Sequence, residues 1–255
     1  MRVNGSICRT FLLHLPVKPV FFILLCSFTY LGISFSILKT TFKQSSFFFF
    51  NVINILEILF YHLFGCSHDW DQELVNSILN LLVSMSNRSP ELSLKIEKNG
   101  GSELCVNVMD NFCDSREIVI NACMLLSNMG NAGKNNVIVK MGQQGVVDVL
   151  LSIVASQCGD ATFVLEPIHT LSILTGDMNL AKNIASKGMH SICTIAKTHM
   201  SNPEILASVH KLIGFLAFQP ECLRDIVQHD GPCMVSRVFG TQKKKETKRK
   251  ENKIK

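Results

Sequence analysis

The residues best spaced to hold a metal are His190 and Cys193, three apart, and Cys222 with His229 and Cys233. Thiolate and imidazole are zinc's usual ligands, and a structural site needs four of them converging in a tetrahedron. These five lie on different helical faces or in different helices. They read as core cysteines beside surface histidines, because free cysteine behaves as a small buried hydrophobe. No metal is expected. The chain has no G-x-S-x-G, no G-x-x-x-x-G-K-[ST] and no H-E-x-x-H, so the common nucleophile, phosphate and metalloprotease signatures are missing. No cofactor is implied, no enzyme is expected, and the chain reads as a binding scaffold.

Charge narrows the class of partner. The net charge is +5, but Thr241 to Lys255 holds eight Lys/Arg against two Glu, which leaves the first 240 residues at −1. A nearly neutral folded part does not support a basic nucleic-acid-binding face, so a protein partner is expected and nucleic acid is not. None of the ten cysteines forms a C-x-x-C pair. A chain with 47% hydrophobic residues has core enough to need no disulfide framework. The repeat region is therefore expected in the cytoplasm or nucleus.

The elements that must position any binding surface start late. Residues 1–67 form an apolar N-terminal segment, in which Pro19 to Leu38 is twenty residues without a charge, long enough to span a bilayer. The run Ser45-Ser46-Phe47-Phe48-Phe49-Phe50 is equally what a translated polypyrimidine tract looks like. The segment is thus a membrane anchor or a gene-model artefact. The alternative to a free scaffold is a membrane-tethered one, anchored through residues 19–38 with its repeats in the cytosol. If the segment is either, it packs poorly on the helices after it, since its apolar runs lack the polar face of a soluble helix.

From residue 68 to 240 the pattern repeats. Gly101, Gly145, Gly188 and Gly231 follow short amphipathic segments at spacings of 44, 43 and 43. Each is followed by a second apolar helix, and the first three units by a third: SREIVINACMLLSNM, ATFVLEPIHTLSIL and PEILASVHKLIGFLAF. A period of 40–47 with two or three helices per unit is the mark of armadillo and HEAT arrays. Helix ends are expected near the four glycines, where a left-handed residue stops a helix at least cost. Ser89-Pro90-Glu91 and Asn202-Pro203-Glu204 place a capping side chain before proline at the first helical position. Pro167 sits inside a third helix, where it removes a backbone bond and is expected to kink it. Residues 241–255 are a basic tail, expected to be disordered because like charges repel.

The stretch from Ala122 to Met129 (ACMLLSNM) resembles the third-helix core of the armadillo family, and Ser84-Met85-Ser86-Asn87 resembles its end. The short first helix ending at glycine favours armadillo over HEAT, which remains the second choice. The fold class expected is all-α, a right-handed α-solenoid of the armadillo type with about three to four repeats. The resemblance implies an extended peptide or partner helix held in a concave groove lined by third helices. Superposing those helices aligns Asn121, Glu166 and Ser208, then Met124, His169 and Lys211, then Asn128, Ile173 and Phe215. In groove-binding members a third-helix Asn clamps a ligand's backbone amide, and Asn87 and Asn128 match that position. Met124 and Val83 stand where nuclear-import adaptors carry Trp, which argues against a nuclear-localisation-signal receptor. The partner-binding set is thus Asn87, Asn121, Met124, Asn128, Glu166, His169, Ser208 and Lys211. Leu212, Phe215 and Phe218 are expected to be poorly covered at the C-terminal end of the array.

Overall fold

The computed structural model describes residues 72–229, apart from the side chain of Leu74. The N-terminal segment 1–67, the turn at Gly231 and the tail 241–255 lie outside them, as do the expectations attached to each. The described residues are all-helical: α1 (Gln72–Ser86), α2 (Pro90–Lys98), α3 (Gly101–Asn111), α4 (Arg116–Gln143), α5 (Val146–Ser156), α6 (Ala161–Leu174), α7 (Met178–Thr198), α8 (Pro203–Ala217), a 3₁₀ turn (Pro220–Cys222) and α9 (Leu223–Gln228).

The helix starts follow from capping chemistry. Ser89 Oγ accepts the amide of Glu91 at 3.2 Å, and Asn202 Oδ1 accepts those of Glu204 and Ile205 at 3.0 and 3.4 Å. Both proline-marked starts are thus where the sequence put them. Two further caps carry no proline: Asp160 holds the amides of Thr162 and Phe163, and Asp177 those of Asn179 and Leu180. Each satisfies donors that the first turn leaves without an intrahelical partner.

The glycines divide into two kinds. Gly100 (φ 92) and Gly145 (φ 82) are left-handed and stand immediately before α3 and α5. The first bend therefore turns on Gly100, one residue before the Gly101 expected. Gly188 departs from expectation altogether: α7 runs through it without a break, and the residue is buried. A Cβ there would stand 2.5 Å from Cδ2 of Leu151 in α5. The missing side chain lets two helices approach, and no turn is made.

α4 is two helices joined end to end. Lys134 has φ 50 and ψ −143, the only positive φ among described residues other than glycine. Such a geometry costs an L-residue on the order of 1–3 kcal/mol. Lys134→Gly is expected to relieve it, for a net gain of about 1 kcal/mol after glycine's own entropy cost. The readout is a higher urea midpoint at unchanged slope; a lower midpoint would mean that the kink is not held in solution.

The helices pack in a regular order. α1 lies against α4, α4 against α6 and α6 against α8, while α3 meets α5 and α5 meets α7. Side chains such as Leu79, Leu82, Leu104, Leu125 and Leu150 are removed from water entirely, each worth roughly 1.5–3 kcal/mol. α6 runs through Pro167, whose ring is buried. Leu212, expected to be poorly covered, is fully buried, on a helix that packs against both α6 and α7. Phe215 and Phe218 are exposed as expected, at 39% and 82%.

One charge is buried in this core. Glu97, 3% exposed at the end of α2, accepts hydrogen bonds from the amide (3.1 Å) and hydroxyl of Ser102 in the first turn of α3. The Lys140 ammonium donates to the Glu97 carbonyl at 3.0 Å and stands 2.8 Å from carboxylate Oε1. That second contact is an ion pair and not an aligned hydrogen bond, since Oε1 has no hydrogen-bond partner. Glu97 thus caps the helix after its own and ties both to α4.

Among the described residues no single helix is long and apolar enough to cross a membrane. α4 with α5, bent by 72°, passes that test on length and composition only.

Candidate functional site: an amide-lined helical face

α1, α4, α6 and α8 each carry a partly exposed stripe, and the aligned residues from the sequence fall on these stripes. Asn121, Met124 and Asn128 of α4, Glu166 and His169 of α6, and Ser208 of α8 are half-buried, while Asn87 and Lys211 are exposed. Half-burial suits recognition, because such a group is held in place by neighbours and still meets solvent.

The structure brings some of these residues together. Asn128 Nδ2 donates to Asn87 Oδ1 and to Ser86 Oγ, both at 2.8 Å. Asn87 and Asn128, taken in the sequence as independent clamps, are therefore one unit spanning two helices. Asn128 Oδ1 and Asn87 Nδ2 take no part in these bonds, so the unit still has one acceptor and one donor to offer. Glu166 Oε2 lies 3.8 Å from His169 Nδ1. Neither Ser208 nor Lys211 is hydrogen-bonded or ion-paired to another member of the set. The Lys211 ammonium sits over the Phe215 ring, 5.8 Å from its centre, a cation–π contact.

Sequence reasoning missed Asn76 and Asn80. Asn76 Oδ1 accepts from Asn121 Nδ2 at 2.8 Å and from Asn80 Nδ2 at 3.4 Å, and Asn76 Nδ2 donates to Glu117 Oε2 at 2.7 Å. An amide network thus covers α1 and the first turns of α4. The signal was available: Asn76, Asn80 and Asn87, at i, i+4 and i+11, share one helical face.

Under this face the helices are joined by buried polar contacts. Ser127 Oγ and Thr170 Oγ1 are 3.1 Å apart, and Thr170 Oγ1 reaches the Cys123 carbonyl at 3.2 Å. At its rim Arg116 pairs with Asp160. The Thr162 hydroxyl, then the Phe163 and Thr162 amides and Arg116, hold the Asp160 carboxyl below its ordinary pKa against the opposing effect of burial.

Among the described residues no group of three or more His, Cys, Asp or Glu is placed to hold a metal ion. The His190 and His229 rings do meet edge to face with centres 6.0 Å apart, while Cys193 and Cys222 are buried in the core. Neither any protein-family model nor any curated protein matches this chain.

Proposed function

We propose that these helices are the repeats of an armadillo-type right-handed solenoid. On this reading its third helices are α1, the first part of α4, α6 and α8, and their shared face binds an extended segment of a partner protein. The reading is of a non-enzymatic scaffold in the cytoplasm or nucleus. None of the six described cysteines forms a disulfide, which agrees with a reducing compartment.

Periodicity in space supports the repeat reading. Gln72 with Ser115, Ser127 with Thr170, Lys140 with Glu97, Gln157 with Asp114 and His199 with Cys158 are joined by hydrogen bonds at separations of 43, 43, 43, 43 and 41. Arg116 with Asp160 (44) and Lys187 with Asp148 (39) continue the series. Residues one sequence period apart meet when successive units stack in register, each on its neighbour.

The observation that carries the binding reading is the Asn87–Asn128 pair. Its spare donor and acceptor match the C=O and N–H that every peptide backbone offers, whatever its side chains. Glu166 and Lys211 then bias the choice of charge, since charge placement governs selectivity and encounter more than raw affinity. The test is affinity capture from cells with the full chain, followed by titration of the captured partner. Asn128→Ala is expected to weaken binding roughly five- to hundredfold, the equivalent of about 1–3 kcal/mol for a half-buried amide pair. Its melting temperature should also fall by a few degrees, because the bonds to Asn87 and Ser86 are lost with the amide; binding is therefore compared well below the transition. Glu166→Lys should change which proteins are captured. Unaltered affinity of every captured protein for Asn128→Ala would end the groove reading.

A further inference from the structure

The turn between α2 and α3 holds a reactive pair, Asn99 followed by Gly100. Asn-Gly occurs in this chain only there and at residues 4–5. In such a pair the glycine amide nitrogen can attack the asparagine side-chain carbon, because glycine has no side chain to hinder the approach. Water is the only co-reactant. Hydroxide takes the Gly100 N–H proton, the nitrogen bonds to Asn99 Cγ and the Cγ–Nδ2 bond breaks. The departing nitrogen takes a proton from water, leaves as ammonia and regenerates hydroxide. Water then opens the five-membered ring at either carbonyl, giving aspartate or isoaspartate at position 99.

Asn99 is exposed and meets the water this needs, yet the folded turn holds both reacting groups elsewhere. Asn99 is the C-terminal cap of α2, with φ −88 and ψ 12. The Gly100 N–H donates to the Glu97 carbonyl at 3.0 Å, and Asn99 Nδ2 donates to the Lys95 carbonyl at 2.9 Å. Nucleophile and leaving group are thus each engaged with a carbonyl of α2, and closing the ring requires both bonds to break. A further tie spans the pair. Glu97 and Ser102 flank it, and the Glu97 carboxylate accepts from the Ser102 amide at 3.1 Å and from its hydroxyl. The Lys140 ammonium donates to the same Glu97 carbonyl at 3.0 Å, which fixes the turn to α4.

We infer that Asn99 is a latent deamidation site gated by the Glu97–Ser102 clasp. It is protected while the turn is closed, and its reaction leaves a turn that closes less well. The product carboxylate has no N–H to give the Lys95 carbonyl. Its charge sits at the C-terminal end of α2, where the last carbonyls already present partial negative charge. Isoaspartate also carries the main chain through its Cβ and so lengthens the span between the clasped residues. None of this depends on the peptide-binding reading.

The test follows Asn99 in the full-length protein in mildly alkaline buffer, by proteolysis and mass spectrometry of the peptide that carries it. Because two hydrogen bonds must open first, the native protein should deamidate about five- to hundredfold more slowly than the same protein unfolded in urea. Glu97→Ala removes the clasp and should abolish most of that difference. Ser102→Ala takes away only the hydroxyl and should fall between wild type and Glu97→Ala. Leu212→Ala is the control: it opens a cavity in α8, which packs on α6 and α7, at a comparable cost to stability. It should leave the native rate near that of wild type. Asn99→Asp should lower the urea midpoint. An Asn99 that stays intact in urea, a native rate equal to the unfolded one, or equal acceleration by Glu97→Ala and Leu212→Ala overturns the gate. Asn99→Asp with the wild-type midpoint overturns the consequence drawn for the turn.

Discussion

Glu97→Ala is expected to destabilise the helical region by about 3 kcal/mol, the lower end for breaking a buried charged contact. The lower end applies because Lys140, its partner, is 42% exposed and recovers water when the carboxylate is gone. The Ser102 amide and hydroxyl recover none, since Ser102 is fully buried, and leaving such donors unmatched costs the desolvation of each. At about 2–4 °C per kcal/mol for a domain of this size, the melting temperature should drop by roughly 6–12 °C. Asp148→Ala is the contrast. Its ion pair with Lys187 is more than half exposed on both sides, and such pairs contribute little. Equal effects from the two substitutions would show that Glu97 is hydrated in solution and does not join α2, α3 and α4.

The second large effect is with pH. Burial pushes the Cys105 thiol well above its ordinary pKa, helped by neighbouring Cys123 and Glu97. Burial also raises Cys123, with Glu166 adding to the effect and the Thr170 hydrogen bond opposing it. Below about pH 8.5 both thiols keep their protons folded or unfolded, and stability is unaffected. Above that the unfolded chain releases them and the folded chain does not, so the unfolded state binds fewer protons and stability falls. The loss should be on the order of 1.4 kcal/mol per pH unit for each thiol. Burial raises the Cys222 thiol too, with Asp225 and Glu221 adding and Lys182 opposing, so of the difference in urea unfolding between pH 8 and pH 10, Cys123→Val should remove about a third to a half. The exposed Cys113 should be alkylated in the native protein while Cys105 and Cys123 wait for unfolding. Native-state labelling of Cys123 would mean that its part of the core opens far more readily than its burial implies.

Helix content, the two proline-marked starts and the side of α4, α6 and α8 that meets solvent were legible in the sequence, since periodicity and capping act within a few residues. Asn128 shows where that reading ends. Its position on the exposed stripe followed from spacing, but its bond to Asn87 joins residues 41 apart and exists only because α1 and α4 lie side by side. The same holds for Asn76, which looked like an ordinary surface amide until Asn121 and Glu117 were brought to it.

Gly188 gives the sharpest division between the two levels. Local chemistry alone gives a glycine at that spacing the same meaning as Gly145, because both are free to turn left-handed. What decides between a bend and a continuous helix is whether a neighbour needs the space of the absent Cβ, and Leu151 of α5 does. The sequence by itself determined the all-helical class of the described residues and the polar stripe, both of which are local. Only the tertiary structure decided which glycines bend the chain, that Glu97 is buried and bound, and that Asn128 is bonded to Asn87. Each of these depends on what a distant segment does to the solvent around a residue, and a linear pattern carries no record of that.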